Sequence, residues 1–100
     1  MQNLVKEFME EYSCACGIEN RYIDVVSEVG ELGKEILKGT EYGKKEFKQR
    51  ETCIEEMGDC LFSVFALCEE MDIDAREALN YAIHKYRNRM SITQQIGSGR

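Results

Sequence analysis

The sequence predicts an all-α protein, an antiparallel four-helix-bundle-like protomer. Three observations carry this. Apolar residues recur at helical spacing in four successive segments. None of the 100 residues is proline, so nothing in the chain forces a helix to break. Short stretches of glycine and polar residues separate the segments. With 43% hydrophobic and 32% charged residues, the composition is that of an ordinary globular domain. The expectation is one helical domain over residues 1–92 and a disordered tail over 93–100.

The first helix is expected over about Leu4 to Tyr12, where Leu4, Val5, Phe8, Met9 and Tyr12 share a face, ending near Ser13 to Gly17. The second runs from about Asn20 to Lys38, with Tyr22, Val25, Val29, Leu32 and Ile36 in one stripe and Gly39 as its stop. A lysine-rich connection comes next, GTEYGKKEF, with two glycines and little periodicity. The third helix is expected from about Phe47 to Met71. Its apolar face is broad, comprising Cys53, Ile54, Met57, Cys60, Leu61, Val64, Phe65, Cys68 and Met71, with Phe62 and Leu67 at its margins. Such width predicts burial against more than one neighbour, hence a second copy of the chain. The fourth helix begins after Asp74, which forms a capping-box pattern with Glu77, and continues to about Met90.

A formal net charge of −6 opposes binding to DNA, RNA or an anionic membrane surface. It does not oppose a small polyphosphate, because cations held on acidic side chains reverse the local sign. Leu61 to Cys68, the longest nearly apolar stretch, is far short of the roughly 20 residues of a membrane span. Five cysteines form an odd set with no secretory signal ahead of them, which predicts a reducing cytosol. Cys53, Cys60 and Cys68 follow the apolar face as packing residues. Cys14-Ala15-Cys16 lacks the second ligand pair that a zinc site needs.

The chemistry is carried by two like pentapeptides, Glu28-Val29-Gly30-Glu31-Leu32 and Glu56-Met57-Gly58-Asp59-Cys60. Each reads acid, apolar, glycine, acid, apolar. Residues three apart share a helix face, so each pentapeptide aims two carboxylates the same way, at the border of its apolar stripe. If the two helices pack antiparallel through those stripes, the four carboxylates converge. Like charges so placed raise one another's pKa and oppose folding unless a cation joins them. Magnesium suits all-oxygen ligands and shares its shell with substrate phosphates; manganese is a substitute. A di-iron centre fits less well, since it draws on Glu-x-x-His pairs and the only histidine, His84, follows Tyr81 at that spacing. Glycine inside a helix costs about 1 kcal/mol relative to alanine, and here it occurs twice at the same motif position. Close backbone approach, room for a hydrated ion and phosphate, or tight helix packing would each offset that cost.

Glu28-x-x-Glu31 followed by Glu56-x-x-Asp59 resembles the signature of the MazG-like, all-α nucleoside triphosphate pyrophosphohydrolase superfamily. The surrounding segments, SEVGELGKEILKG, EEMGDCLFSVFAL and MDIDAREALNYAIHKYRNR, are similar to consecutive family segments, so the likeness covers roughly Tyr22 to Met90. The resemblance implies magnesium-dependent hydrolysis of a nucleoside triphosphate to the monophosphate and pyrophosphate by a homodimer or homotetramer. It implies Glu28, Glu31, Glu56 and Asp59 as metal ligands and catalytic residues, and Lys85 with Arg89 as phosphate contacts. The chain departs from the family pattern at Ser27, Ile83 and Asn88, where a glutamate, an asparagine and an arginine are frequent. Lys85 and Arg89, one helical turn apart, either present two cations to a polyphosphate or form a solvated basic face. Two other functions remain open: a phosphoribosyl-ATP pyrophosphohydrolase-like enzyme, and a non-catalytic acidic helical binding module.

Overall fold

Four helices form where the periodicity places them, and the computed structural model describes them over residues 1–96, with side chains to Thr93. They are α1 (Gln2–Tyr12), α2 (Ile18–Gly39), α3 (Thr52–Glu70) and α4 (Ala75–Ile96), with no strand among the described residues. The fold class is therefore all-α, as expected.

Helix α1 lays Val5 and Met9 against Ala66 of α3, with Cys14, Phe62 and Phe65 around them. Phe8 meets the Phe62 ring edge-on at 5.5 Å between centroids, a preferred aromatic geometry. Helices α2 and α3 pack antiparallel along most of their length, and three side-chain contacts fix the register. Ser63 donates to Asp24 (2.8 Å), the Cys60 thiol to the Glu28 carbonyl (3.2 Å), and the Thr52 hydroxyl to Glu35. Gln2 ties the start of α1 to the far end of α3. Its amide donates to Glu69 and to the Ile73 carbonyl, and its oxygen accepts from the Ala75 N–H at 2.6 Å. Asp74 caps α4 by accepting from the N–H groups of Arg76 (2.9 Å) and Glu77 (3.2 Å).

The helix boundaries differ from expectation at two places. Helix α3 starts at Thr52 rather than Phe47, because residues 47 and 48 are pinned to the end of α2: the Lys48 N–H donates to the Gly39 carbonyl at 2.9 Å. A Cβ added to Gly39 would lie 2.8 Å from the Phe47 ring and 2.9 Å from the Lys48 carbonyl oxygen. Close approach, not a left-handed turn, is what demands glycine there. Helix α4 runs to Ile96 rather than Met90, so residues 93–96 of the expected tail are helical; residues 97–100 lie outside the described residues.

The larger correction concerns which faces meet. Only part of the stripes read as the helix–helix contact is what α2 and α3 share: Cys53 and Cys60 on α3 are buried. Val25 and Leu32 are half-buried, but Tyr22, Val29 and Ile36 on α2 are exposed, as are Ile54, Met57, Leu61 and Val64 on α3. The two helices instead meet through Arg21, Asp24, Glu28 and Glu35 on one side and Thr52, Cys60, Ser63 and Glu70 on the other. Helix α4 packs along none of the other three over any length. The radius of gyration is 17.9 Å, against about 13 Å for a closed 100-residue domain. The protomer is thus a helical-bundle arrangement that stands open along α4.

Candidate metal centre

The polar face between α2 and α3 carries the acids. With Ser63 opposite Asp24 and Thr52 opposite Glu35, antiparallel register sets Glu28 level with Asp59 and Glu31 level with Glu56. Carboxylate oxygens of Glu28, Glu56 and Asp59 all lie within 4.8 Å of one another; Glu28 and Glu56 are half-buried and Asp59 is exposed. Glu31 is brought to the same side but is exposed and stands outside this trio. Three of the four acids expected to converge therefore do so at coordinating distance.

Their electrostatics follow from that crowding. The Glu28 carboxyl is pushed above the usual carboxylate range by partial burial first and then by the charges of Asp59, Asp24, Glu56 and Glu31. Glu56 is raised likewise, by desolvation and then by Asp59, Glu31, Glu35 and Glu55. Cys60, wedged beneath them, has its thiol held above its ordinary value by burial and by the Glu28, Glu56 and Asp59 charges. It is a packing residue in its protonated form, as expected from its place on the helix. Among the described residues, no lysine or arginine forms an ion pair with any member of the trio.

Two polar layers flank the trio along the same interface; the spacing of Asp24 and Glu35 on α2 and of Thr52 and Ser63 on α3 continues the acidic stripe into them, whereas Arg21, Arg50 and Glu70 were missed. On one side Glu35, buried, accepts from Thr52 and pairs with Arg50 at 3.3 Å. On the other, buried Arg21 pairs with Glu70 at 3.0 Å and Asp24 at 3.4 Å, and donates to the Cys14 carbonyl at 2.8 Å. The Glu70 carboxylate also accepts the N–H groups of Cys16 and Gly17, at 3.2 and 2.6 Å. Gly17 holds a φ of +95°, a conformation that glycine adopts without strain, which lets its N–H turn toward Glu70. Burial alone would raise the Glu70 carboxyl, but Arg21 and these N–H groups together hold it below the usual range. The signal was present in the sequence. Arg21, Asp24, Glu28 and Glu35 recur at helical spacing on α2, a polar stripe as regular as the apolar one.

Lys85 and Arg89 are both exposed on α4, which packs along neither α2 nor α3, so the protomer does not join them to the carboxylates. Lys85 instead lies over the ring of its neighbour Tyr86 at 5.3 Å. Neither motif glycine is explained by packing within the protomer: a Cβ on Gly30 or Gly58 would meet nothing within 4 Å.

Comparison with known proteins agrees with this arrangement. The chain is 32% identical over 88 residues to YpjD, an uncharacterized protein of Bacillus subtilis (strain 168), covering 85% of this chain and 75% of that one. It superposes with a TM-score of 0.72 and 28% identity on the crystal structure of YPJD from Bacillus subtilis, provisionally described as a pyrophosphatase, over 88% of this chain and 90% of that one. Residues 19–92, which hold both acidic pentapeptides and the whole of the α2–α3 interface, match the MazG nucleotide pyrophosphohydrolase domain. Two helices that pool their carboxylates at coordinating distance, inside a matched segment of that extent, make this chain a member of the MazG nucleotide pyrophosphohydrolase family.

Proposed function

We propose that the protein hydrolyses a nucleoside triphosphate to the nucleoside monophosphate and pyrophosphate, with magnesium held by Glu28, Glu56 and Asp59. The observation that carries this is the trio itself: three carboxylates from two helices within 4.8 Å, with no basic side chain among the described residues to offset them. The donor set fits a hard divalent cation, being all oxygen, and the exposed Asp59 leaves one side open to water and phosphate. When bound, the ion would polarise the phosphate chain and lower the pKa of a coordinated water. Glu31, outside the trio and exposed beside it, is the carboxylate placed to accept a proton from the attacking water. Manganese would substitute for magnesium on the same oxygens.

The proposed unit is a homodimer or dimer of dimers. The exposed apolar faces of α2 and α3 need covering, and Lys85 and Arg89 would reach a carboxylate site only from a neighbouring subunit's α4. No described helix is long and apolar enough to cross a membrane. All five cysteines are free thiols, which suits the reducing cytosol proposed for this chain.

A panel of nucleoside triphosphates, with and without magnesium, tests the reading when monophosphate and pyrophosphate are measured together. Equimolar release of both from at least one nucleotide, dependent on the ion, is the expected result. Absence of release across the panel, or release of orthophosphate and diphosphate, would exclude it.

A further inference from the structure

We propose that Arg50 is a phosphate-binding residue of the carboxylate site, the cation that meets the part of a polyphosphate chain lying beyond the metal. This rests on the reading above and adds to it a residue on neither acidic motif.

Arg50 stands two residues ahead of α3, with its Nε 3.3 Å from Glu35. Glu35 is one helical turn past Glu31 on α2, and Thr52, which donates a hydrogen bond to Glu35, is one turn before Glu56 on α3. Their contact is therefore the next layer of the same interhelix face, about 6 Å along from Glu56 and about 10 Å from Glu28 and Asp59. A triphosphate bound through an ion on Glu28, Glu56 and Asp59 is long enough to lie across both layers. Its far phosphates would otherwise face only the carboxylates of Glu31 and Glu35, so a cation is needed at that end.

The arginines on this interface differ in what they have left to give. Arg21 is buried and spends Nε on Glu70, one terminal nitrogen on Asp24 and the other on the Cys14 carbonyl. It is committed to the fold. Arg50 commits Nε alone, and its side chain is 45% exposed. A guanidinium carries five N–H donors in a planar fork, so both terminal nitrogens of Arg50 remain for two phosphate oxygens, while Glu35 holds the plane in place. Lys85 and Arg89 lack any such anchor on the carboxylate face within the protomer.

The test uses the full chain, saturated with magnesium, and tripolyphosphate as probe in isothermal titration calorimetry. Arg50→Gln is expected to weaken tripolyphosphate binding by about tenfold or more, the loss of one charge-assisted bidentate contact, with Arg50→Lys falling between. The magnesium concentration that half-saturates the rise in melting temperature should stay unchanged in both variants, and Arg87→Gln, an exposed arginine on α4, should bind as the parent does. Parental affinity in Arg50→Gln would overturn the assignment alone and leave the proposed function standing. A magnesium midpoint that moves as far as the tripolyphosphate affinity would also overturn it, since Arg50 would then act only by holding the helices. A parent protein that takes up no tripolyphosphate in the presence of magnesium would overturn both.

Discussion

Glu28 and Glu56 are crowded among like charges at the interface of α2 and α3. Partial burial and mutual repulsion raise the Glu28 and Glu56 carboxyls, so their ionised forms weaken the fold at neutral pH and the weakening eases as pH falls through the raised values. A bound divalent ion reverses this. Magnesium at ten times its dissociation constant should stabilise the fold by about 1.4 kcal/mol, a rise of several degrees in melting temperature, and the rise should be larger at pH 8 than at pH 5. Thermal melts with and without the ion measure it. In Glu56→Ala or Asp59→Ala the rise should vanish, and magnesium-dependent pyrophosphate release should fall below detection with far-ultraviolet circular dichroism unchanged. Full activity in both variants would remove these residues from the mechanism. Arg21 and Glu70 behave oppositely, because here the ionised forms are what the fold needs. Removing either partner of a buried pair strands the other, at a cost of about 3 kcal/mol. Glu70 is held below its ordinary value of 4.5, so its contribution is complete above that pH and is lost as pH falls through the lower folded value. Urea melts of the parent and Glu70→Gln should therefore differ by a constant amount from pH 7 down to about 4.5 and converge only below it. A gap that closes between pH 7 and 5 would contradict the assignment.

At the level of the helices, Gly39 shows how a connection sets a boundary. Its missing Cβ lets Phe47 and the Lys48 carbonyl lie against the end of α2, and the Lys48 N–H closes the contact. Gly39→Ala should cost about 1–3 kcal/mol, as overpacking does, even though alanine is the better helix former. Denaturant titration of the variant checks this, and a neutral or stabilising result would mean that the connection yields freely. The same contact explains why α3 starts later than its periodicity implies. Phe47 continues the helical spacing of the apolar residues in α3, and only its long-range partner, eight residues back across a turn, takes it out of the helix. Helix α4 outruns its expected end for the opposite reason: residues 91–96 show little periodicity, but Gln94 and Gln95 are good helix formers and no glycine or proline stops a helix already under way. What could be read well were features whose causes are local. The Asp74 cap, the stop near Gly39 and the spacing of the two acid pairs needed only neighbours on the same helix. The site was legible to the same extent, since three of its four acids meet as their spacing and an antiparallel connection imply. The flanking Arg21–Glu70 and Arg50–Glu35 pairs were legible only in part: Arg21, Asp24 and Glu35 recur at helical spacing, but each pair joins residues from separate elements whose register only the fold sets.

Taken whole, the protomer exposes more surface than a closed domain of its mass, which supports the proposed assembly. A folded monomer of 11.6 kDa exposes about 5,800 Å² of surface, whereas this protomer exposes 8062 Å². The excess, about 2,000 Å², is of the order that each subunit buries in an obligate homodimer. Exposed apolar residues occur on all four helices; among them Tyr22, Val26, Val29 and Ile36 on α2, with Ile54, Met57, Leu61 and Val64 on α3, recur at helical spacing as stripes. Periodicity shows that a helix has two faces but not which one its own chain takes, and here the charged face is kept within the protomer. That division gives Gly30 and Gly58 a place. Gly58 lies between Ile54 and Leu61 on its helix surface and Gly30 beside Val26, in open space within the protomer, where a second copy could approach closely. Sedimentation at micromolar concentration should therefore report a mass at least twice 11.6 kDa, with a melting temperature that rises with protein concentration. Leu61→Glu or Val29→Glu should shift the mass toward the monomer and lower the melting temperature. Gly58→Ala is the sharper probe, because its sign depends on assembly: in a lone protomer the methyl group meets nothing and should stabilise the helix by about 1 kcal/mol, whereas across a close interface it should weaken association. A sedimenting monomer whose Gly58→Ala variant is simply more stable would show that the protomer stands alone with its apolar faces in water.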